Sequence, residues 1–135
     1  MITAIDTNIL LDLLLPDEHF VEASSRSLEQ AAAAGALVLC DVVYAELCAH
    51  FSSQRACEAF LAAAGIRVEG LTREACFLAS QAWRAYRRQG GRRNRILPDF
   101  LIGAHAQVQA SRLLSRDRGF YRRMFPSLVL VEPVV

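Results

Sequence analysis

Apolar residues in this chain fall into short blocks of two to five that alternate with longer stretches of helical periodicity. The block at 2–5 predicts a buried strand, followed by a helix over 8–15 capped by Asp6 or Thr7. Pro16 and Asp17 break that helix, and the Ala- and Glu-rich stretch 17–34 predicts another, ended by Gly35. A second strand is expected at 36–40, with Asp41 capping a helix to about 51, then a helix over 54–64 stopped by Gly65. After a minor strand at 66–68, Thr72 starts a long helix to about 88, which Gly90-Gly91 breaks. Pro98 suits the first turn of a helix running to Ala110. Short strands at 113–114 and 128–131 enclose a turn of helix at 120–125. Short strands alternating with helices predict right-handed βαβ units, an α/β fold with a parallel sheet. Ligands of such sheets gather beyond the carboxyl ends of the strands.

The chain has 135 residues, with neither a linker-like stretch nor a repeat, so one domain spanning 1–135 is expected. With 53% hydrophobic residues, disorder is excluded. No apolar stretch approaches the ~20 residues of a membrane span, and no basic leader precedes the first strand. A cytoplasmic protein without membrane attachment is therefore expected. Cys40, Cys48, Cys57 and Cys76 lack metal-binding spacing and read as reduced thiols in apolar or helical settings. All 15 basic side chains are Arg. The absence of Lys removes P-loop, Schiff-base and receiver-domain chemistry at once.

Four acids stand out by position. Asp6 ends the first apolar block, Glu46 sits in the apolar helix around Val42-Val43, Asp99 follows Pro98, and Asp117 follows the Leu113-Leu114 strand. A carboxylate is costly to bury unless it is paired, protonated or bound to a cation. Each acid also has a plainer reading. Asp6 is a good helix cap, Asp99 suits the first turn of a helix, and Asp117 suits a turn. Glu46 falls on a largely apolar helix face, which favours an inward carboxylate. Asp99 shares its face with Ile102, Gly103, Ala106 and Ala110, small residues that let the helix approach the sheet. Asp17 and Asp41 read as caps, and Asp12 as a helix residue without a role. No Gly-rich phosphate cradle or G-x-S-x-G serine competes. His19, His50 and His105 are scattered, and His105 reads as a packed or surface helix residue.

The segments Asp6-Thr7-Asn8-Ile9-Leu10-Leu11-Asp12-Leu13, Tyr44-Ala45-Glu46-Leu47, Leu97-Pro98-Asp99-Phe100-Leu101-Ile102-Gly103-Ala104-His105-Ala106 and Leu114-Ser115-Arg116-Asp117-Arg118-Gly119-Phe120 together resemble the PIN domain. Within that family the chain looks most like the VapC-like toxins of prokaryotic toxin–antitoxin pairs. The resemblance implies a three-layer α/β/α sandwich around a mostly parallel sheet of about five short strands. It implies an endoribonuclease dependent on Mg²⁺, with Mn²⁺ as a substitute, that cleaves phosphodiester bonds by metal-activated water. It carries catalytic metal-site roles onto Asp6, Glu46, Asp99 and Asp117, and supporting roles onto Asn8 and Ser115. Asp41 departs from the pattern and adds an acid near the rim. A non-catalytic PIN-like module that binds RNA or protein, and a DNA-directed nuclease of the same fold, are the alternatives.

Arg84, Arg87, Arg88, Arg92, Arg93 and Arg95 crowd just before Asp99. Arg87, Arg88, Arg92, Arg93 and Arg95 are expected to contact the RNA backbone, since guanidinium favours bidentate phosphate binding. A solvated helix end is the plainer reading. Apolar surface near Leu28, Phe51 and Phe60 suggests a homodimer, and the resemblance implies a cognate antitoxin over the acidic cleft.

Overall fold

A computed structural model of the protein describes residues 1–92 and 96–135. Five parallel strands form its sheet: β1 (Ile2–Ile5), β2 (Ala36–Cys40), β3 (Ile66–Glu69), β4 (Arg112–Leu114) and β5 (Leu130–Val131). Their order is β3-β2-β1-β4-β5, every neighbouring pair parallel. The helices are α1 (Thr7–Leu14), α2 (Val21–Ala34), α3 (Asp41–Cys48), α4 (Gln54–Ala64), α5 (Arg73–Arg88), α6 (Pro98–Gln109) and α7 (Arg118–Met124). The chain builds outward from β1 to β2 and β3, then crosses to β4 and β5 on the other side. With the right-handed crossovers usual for parallel strands, this order distributes the helices over both faces of the sheet. The order reverses between β1 and β4, and that switch point is where such sheets open a crevice at their carboxyl edge.

Several boundaries follow from local chemistry. The Asp6 side chain accepts from the Thr7 N–H and caps α1, and the Thr72 hydroxyl accepts from the Ala75 N–H and caps α5. Pro98 occupies the first turn of α6, where its missing N–H costs nothing. Gly65 ends α4 at φ 68°, a left-handed conformation that a side chain would disfavour.

Three expectations are corrected. Helix α2 begins at Val21 rather than at 17, because the Asp17 carboxylate accepts from the His19 N–H and closes a separate turn. Asp41 is the first residue of α3, not its cap. Cys40 holds the cap position without a side-chain hydrogen bond, and the Asp41 carboxylate instead takes the Leu71 N–H at 3.4 Å. The last strand is shorter than 128–131.

The core is built from both faces of the sheet: Ile5, Val38, Leu39 and Leu113 meet Ile9, Leu10, Leu47 and Leu61 and, from α6, Phe100 and Ile102. Gly103 in α6 is expected to let the helix approach the sheet; its close neighbour is instead Phe125 at the end of α7, whose ring would stand 2.5 Å from a Cβ there. His105 is 1% exposed and meets Glu69 at 3.1 Å; burial lowers its pKa against the opposing pull of that carboxylate. The four cysteines are free thiols, with the Cys48 and Cys57 sulfurs 3.4 Å apart between α3 and α4. Among the described residues no helix is long and apolar enough to cross a membrane.

Candidate active site

The switch point brings Asp6, at the end of β1, beside Ser115 at the end of β4. The Asp6 N–H bonds the Leu114 carbonyl at 3.0 Å, and the Ser115 N–H bonds that of Val131 at 3.0 Å, so both residues leave the sheet in register. Asp6 is only 5% exposed and is heavily solvated by protein donors. Its Oδ1 accepts from the Thr7 N–H at 2.7 Å. Its Oδ2 accepts from the Ser115 hydroxyl at 2.8 Å, the Tyr121 hydroxyl at 2.9 Å and the Asn8 amide at 3.4 Å. Desolvation still raises the Asp6 pKa above the ordinary carboxylate value, and the Glu46 charge adds to the rise.

Asn8 and Ser115 tie the two strand ends together. The Asn8 amide donates to the Ser115 Oγ at 3.3 Å, and its carbonyl accepts from the Arg116 N–H at 3.2 Å. Ser115 Oγ also accepts the Asp117 N–H at 3.0 Å, which fixes the backbone that carries Asp117. The Asp117 side chain is exposed at the start of α7.

Glu46 differs from expectation. It is exposed, not turned into the core, because α3 buries Val43 and Leu47 and leaves the intervening residues at the rim. Its carboxylate nevertheless leans over the site and accepts from the Thr7 hydroxyl at 2.6 Å. Asp99 is half-buried in the first turn of α6. Its pKa rises to about 6 through desolvation, then through the charges of Asp6, Asp117 and Glu46. Each of the other three acids is therefore close enough to raise it, as like charges do. Asp41, pinned to Leu71, is not among the groups that shift Asp99.

The four acids line a polar rim with Asp6 as its floor. Among the described residues, no group of three or more His, Cys, Asp or Glu side chains is placed to hold a metal ion. The donor set is carboxylate oxygen throughout, which suits a hard divalent cation that keeps part of its water shell. Uncompensated repulsion at Asp99 gives such a cation something to relieve, so the residues fit one. Two surface clefts lie elsewhere. One runs along α5 and α6 past Phe77, Leu78 and Val108, and an apolar one lies beside Leu13, Leu28, Ala32 and Ile66.

A model of the PIN domain family matches residues 3–125. The chain belongs to the PIN domain family. Among solved structures, VapBC2 from Rickettsia felis bound to a DNA fragment from its promoter is 20% identical with a TM-score of 0.74, covering 99% of this chain and 100% of that one. VapBC-1 from nontypeable Haemophilus influenzae is 23% identical at a TM-score of 0.74, covering 98% of each chain. The Mycobacterium tuberculosis VapC20, a sarcin-ricin loop cleaving toxin, is 20% identical at 0.61, covering 97% and 99%. No curated protein sequence matches the chain. At these identities the structural likeness establishes the PIN fold, with its helix-flanked parallel sheet.

Three residues of this PIN domain escaped the sequence reading. Thr7 orients Glu46, and Tyr121 donates to Asp6 from α7. Asp12, read as a helix residue without a role, is 3% exposed and paired with Arg116 through two hydrogen bonds of 2.8 and 2.9 Å. Thr7 had a signal in its adjacency to Asp6; the other two depend on partners more than a hundred positions away.

Of the arginines, Arg84, Arg87, Arg88 and Arg92 are exposed at and beyond the end of α5, with the Arg87 guanidinium 5.9 Å from the Trp83 ring. Arg93 and Arg95 lie outside the described residues. Arg122 and Arg123 on α7 are exposed too, and Arg123 reaches Gln89 at 3.3 Å. The basic surface thus draws on two helices rather than one segment.

Proposed function

We propose that this PIN domain is a Mg²⁺- or Mn²⁺-dependent endoribonuclease, the toxin of a toxin–antitoxin pair. The observation that carries the reading is Asp99, raised to about 6 by burial and by three acids that reach it from separate elements. A structural surface has no need of four converging charges that repel one another. Bound among them, Mg²⁺ supplies Lewis-acid activation of water and stabilises charge developing on the scissile phosphate. Asp6 and Asp99 would hold the ion, with Glu46 and Asp117 completing its surroundings directly or through water. Ser115 and Asn8 keep the Asp6 carboxylate and the Asp117 backbone in place, and Thr7 keeps Glu46 over the cleft. Hydrolysis by activated water needs no protein nucleophile, in keeping with the Ser115 hydroxyl donating to Asp6 and lying outside any G-x-S-x-G motif.

The choice of RNA draws on the family resemblance and on the neighbour VapC20, a sarcin-ricin loop cleaving toxin. The VapBC complexes among the neighbours support a cognate antitoxin as partner. The half-buried Phe51 and Phe60, with ring centroids 5.6 Å apart, support a second copy of the chain as a further partner.

Purified protein should cut a structured RNA with Mg²⁺ or Mn²⁺ and stop when EDTA is added. Binding to RNA without any cutting in either metal leaves the non-catalytic module, and cutting of DNA alone leaves the DNA-directed nuclease. If three to five arginines of the basic surface engage single-stranded RNA, log affinity should fall against log salt with a slope of roughly −2 to −3.5. A flat response in a filter-binding titration would remove that surface from RNA recognition.

A further inference from the structure

Tyr121 is fully buried in α7, with its ring centroid 5.2 Å from that of Phe120 and 6.5 Å from that of Phe125. Phenylalanine would fill this space as well, and a buried hydroxyl is costly unless it is hydrogen-bonded. Among the described residues the hydroxyl has one hydrogen bond, donated to Asp6 Oδ2 at 2.9 Å. Its presence is therefore explained by Asp6 rather than by packing.

The distribution of donors on Asp6 gives that bond a specific consequence. A carboxylate oxygen has two lone-pair directions. Oδ2 already accepts from Ser115 at 2.8 Å and Tyr121 at 2.9 Å, with Asn8 further off at 3.4 Å. Among the described residues Oδ1 accepts only from the Thr7 N–H, at 2.7 Å. We infer that Tyr121 is a positioning residue of the divalent-ion site: with Ser115 it saturates Asp6 Oδ2 and leaves Oδ1 as the oxygen that binds the ion. This rests on the divalent-ion reading of the four acids. It goes beyond that reading by assigning Tyr121 a role, and by making Asp6 a ligand through one oxygen. Partners that hold a metal ligand in orientation typically change metal affinity 10- to 100-fold when removed.

The test is a calorimetric titration of metal-free protein with Mn²⁺, beside thermal unfolding of the same metal-free samples. Tyr121→Phe keeps the ring and removes only the hydroxyl. It should weaken Mn²⁺ binding at least about 10-fold while the metal-free protein melts within a few degrees of wild type. A merely structural tyrosine would give the opposite split, with Mn²⁺ affinity unchanged. Ser115→Ala removes the other strong donor from the same oxygen and should weaken Mn²⁺ binding in the same direction. Should Tyr121→Phe fail to fold, Ser115→Ala with wild-type affinity would overturn the assignment. Wild-type affinity in a folded Tyr121→Phe protein overturns it alone, leaving the nuclease reading intact. Wild-type protein that binds no Mn²⁺ at all removes both.

Discussion

Asp99→Asn should lower divalent-ion-dependent RNA cleavage by at least about 10³-fold and at the same time make the metal-free protein more stable. The first effect follows because a metal-bound site supplies several kcal/mol of transition-state charge stabilisation, and each 1.36 kcal/mol is tenfold in rate. Asp6→Asn should abolish cleavage comparably. The second effect follows from the rise of the Asp99 pKa from 3.8 to about 6. Between those values the folded protein holds a proton that the unfolded chain has released, so stability falls as pH rises through the window. Above about pH 6 the full penalty is present, and Asn removes it. Allowing for the solvent that reaches a half-buried side chain, the gain should be about 1–2 kcal/mol at neutral pH and vanish below about pH 4. Urea unfolding of wild type and variant in EDTA across pH 4–8 measures it. Identical curves at pH 7 would show that Asp99 carries no repulsive load, and undiminished cleavage would end its catalytic role.

That combination, an acid unfavourable to the fold and, on the proposed reading, needed for the ion, is also the feature most readable from sequence. Asp6 and Asp99 sit where an apolar block hands over to a helix, and caps, first-turn preferences and strand ends are local signals. The same local signals place β1, β2 and α4 correctly and put Pro98 at the head of α6. They fail where a residue's surroundings come from elsewhere in the chain. Glu46 lies on an apolar helix face by periodicity, yet the layer above that part of α3 is open, so the carboxylate is exposed and held by Thr7 instead. The stretch 17–20 has helical composition but closes its own turn through Asp17. Tyr121 reads as one more aromatic in a short helix until the crossover to β4 and β5 sets it beneath Asp6. Asp12 is the clearest failure, since a carboxylate inside a leucine-rich helix has no local explanation and its partner is 104 positions away.

Arg116→Ala should therefore unfold the protein more readily than loss of a surface arginine would suggest, by about 2–4 kcal/mol. The Arg116 guanidinium meets Asp12 with Nε at 2.8 Å and Nη2 at 2.9 Å, and its carbon stands 4.0 Å from the Phe20 ring centroid. Asp12 is 4% exposed at its side chain against 30% for Arg116, so truncation strands a buried charge that, among the described residues, keeps only the Ser24 hydroxyl bonded to it, at 2.7 Å. Breaking a buried pair by removing one partner costs about 3–5 kcal/mol, reduced here because solvent reaches the arginine. Arg116→Lys should fall between, keeping the charge but losing the fork that meets both carboxylate oxygens. In Asp12→Asn/Arg116→Ala the stranded charge is gone, so the double variant should recover part of the loss. Additive losses in a denaturant-unfolding cycle would contradict the pairing, and so would a single-variant loss under about 0.5 kcal/mol, the range of an ordinary surface change. Because the Arg116 N–H also holds Asn8, and Arg116 lies between Ser115 and Asp117, slackening this strut should weaken Mn²⁺ binding even in the fraction that remains folded. The ion pair thereby joins the stability of the α1–α2 layer to the geometry of the carboxylates at the switch point.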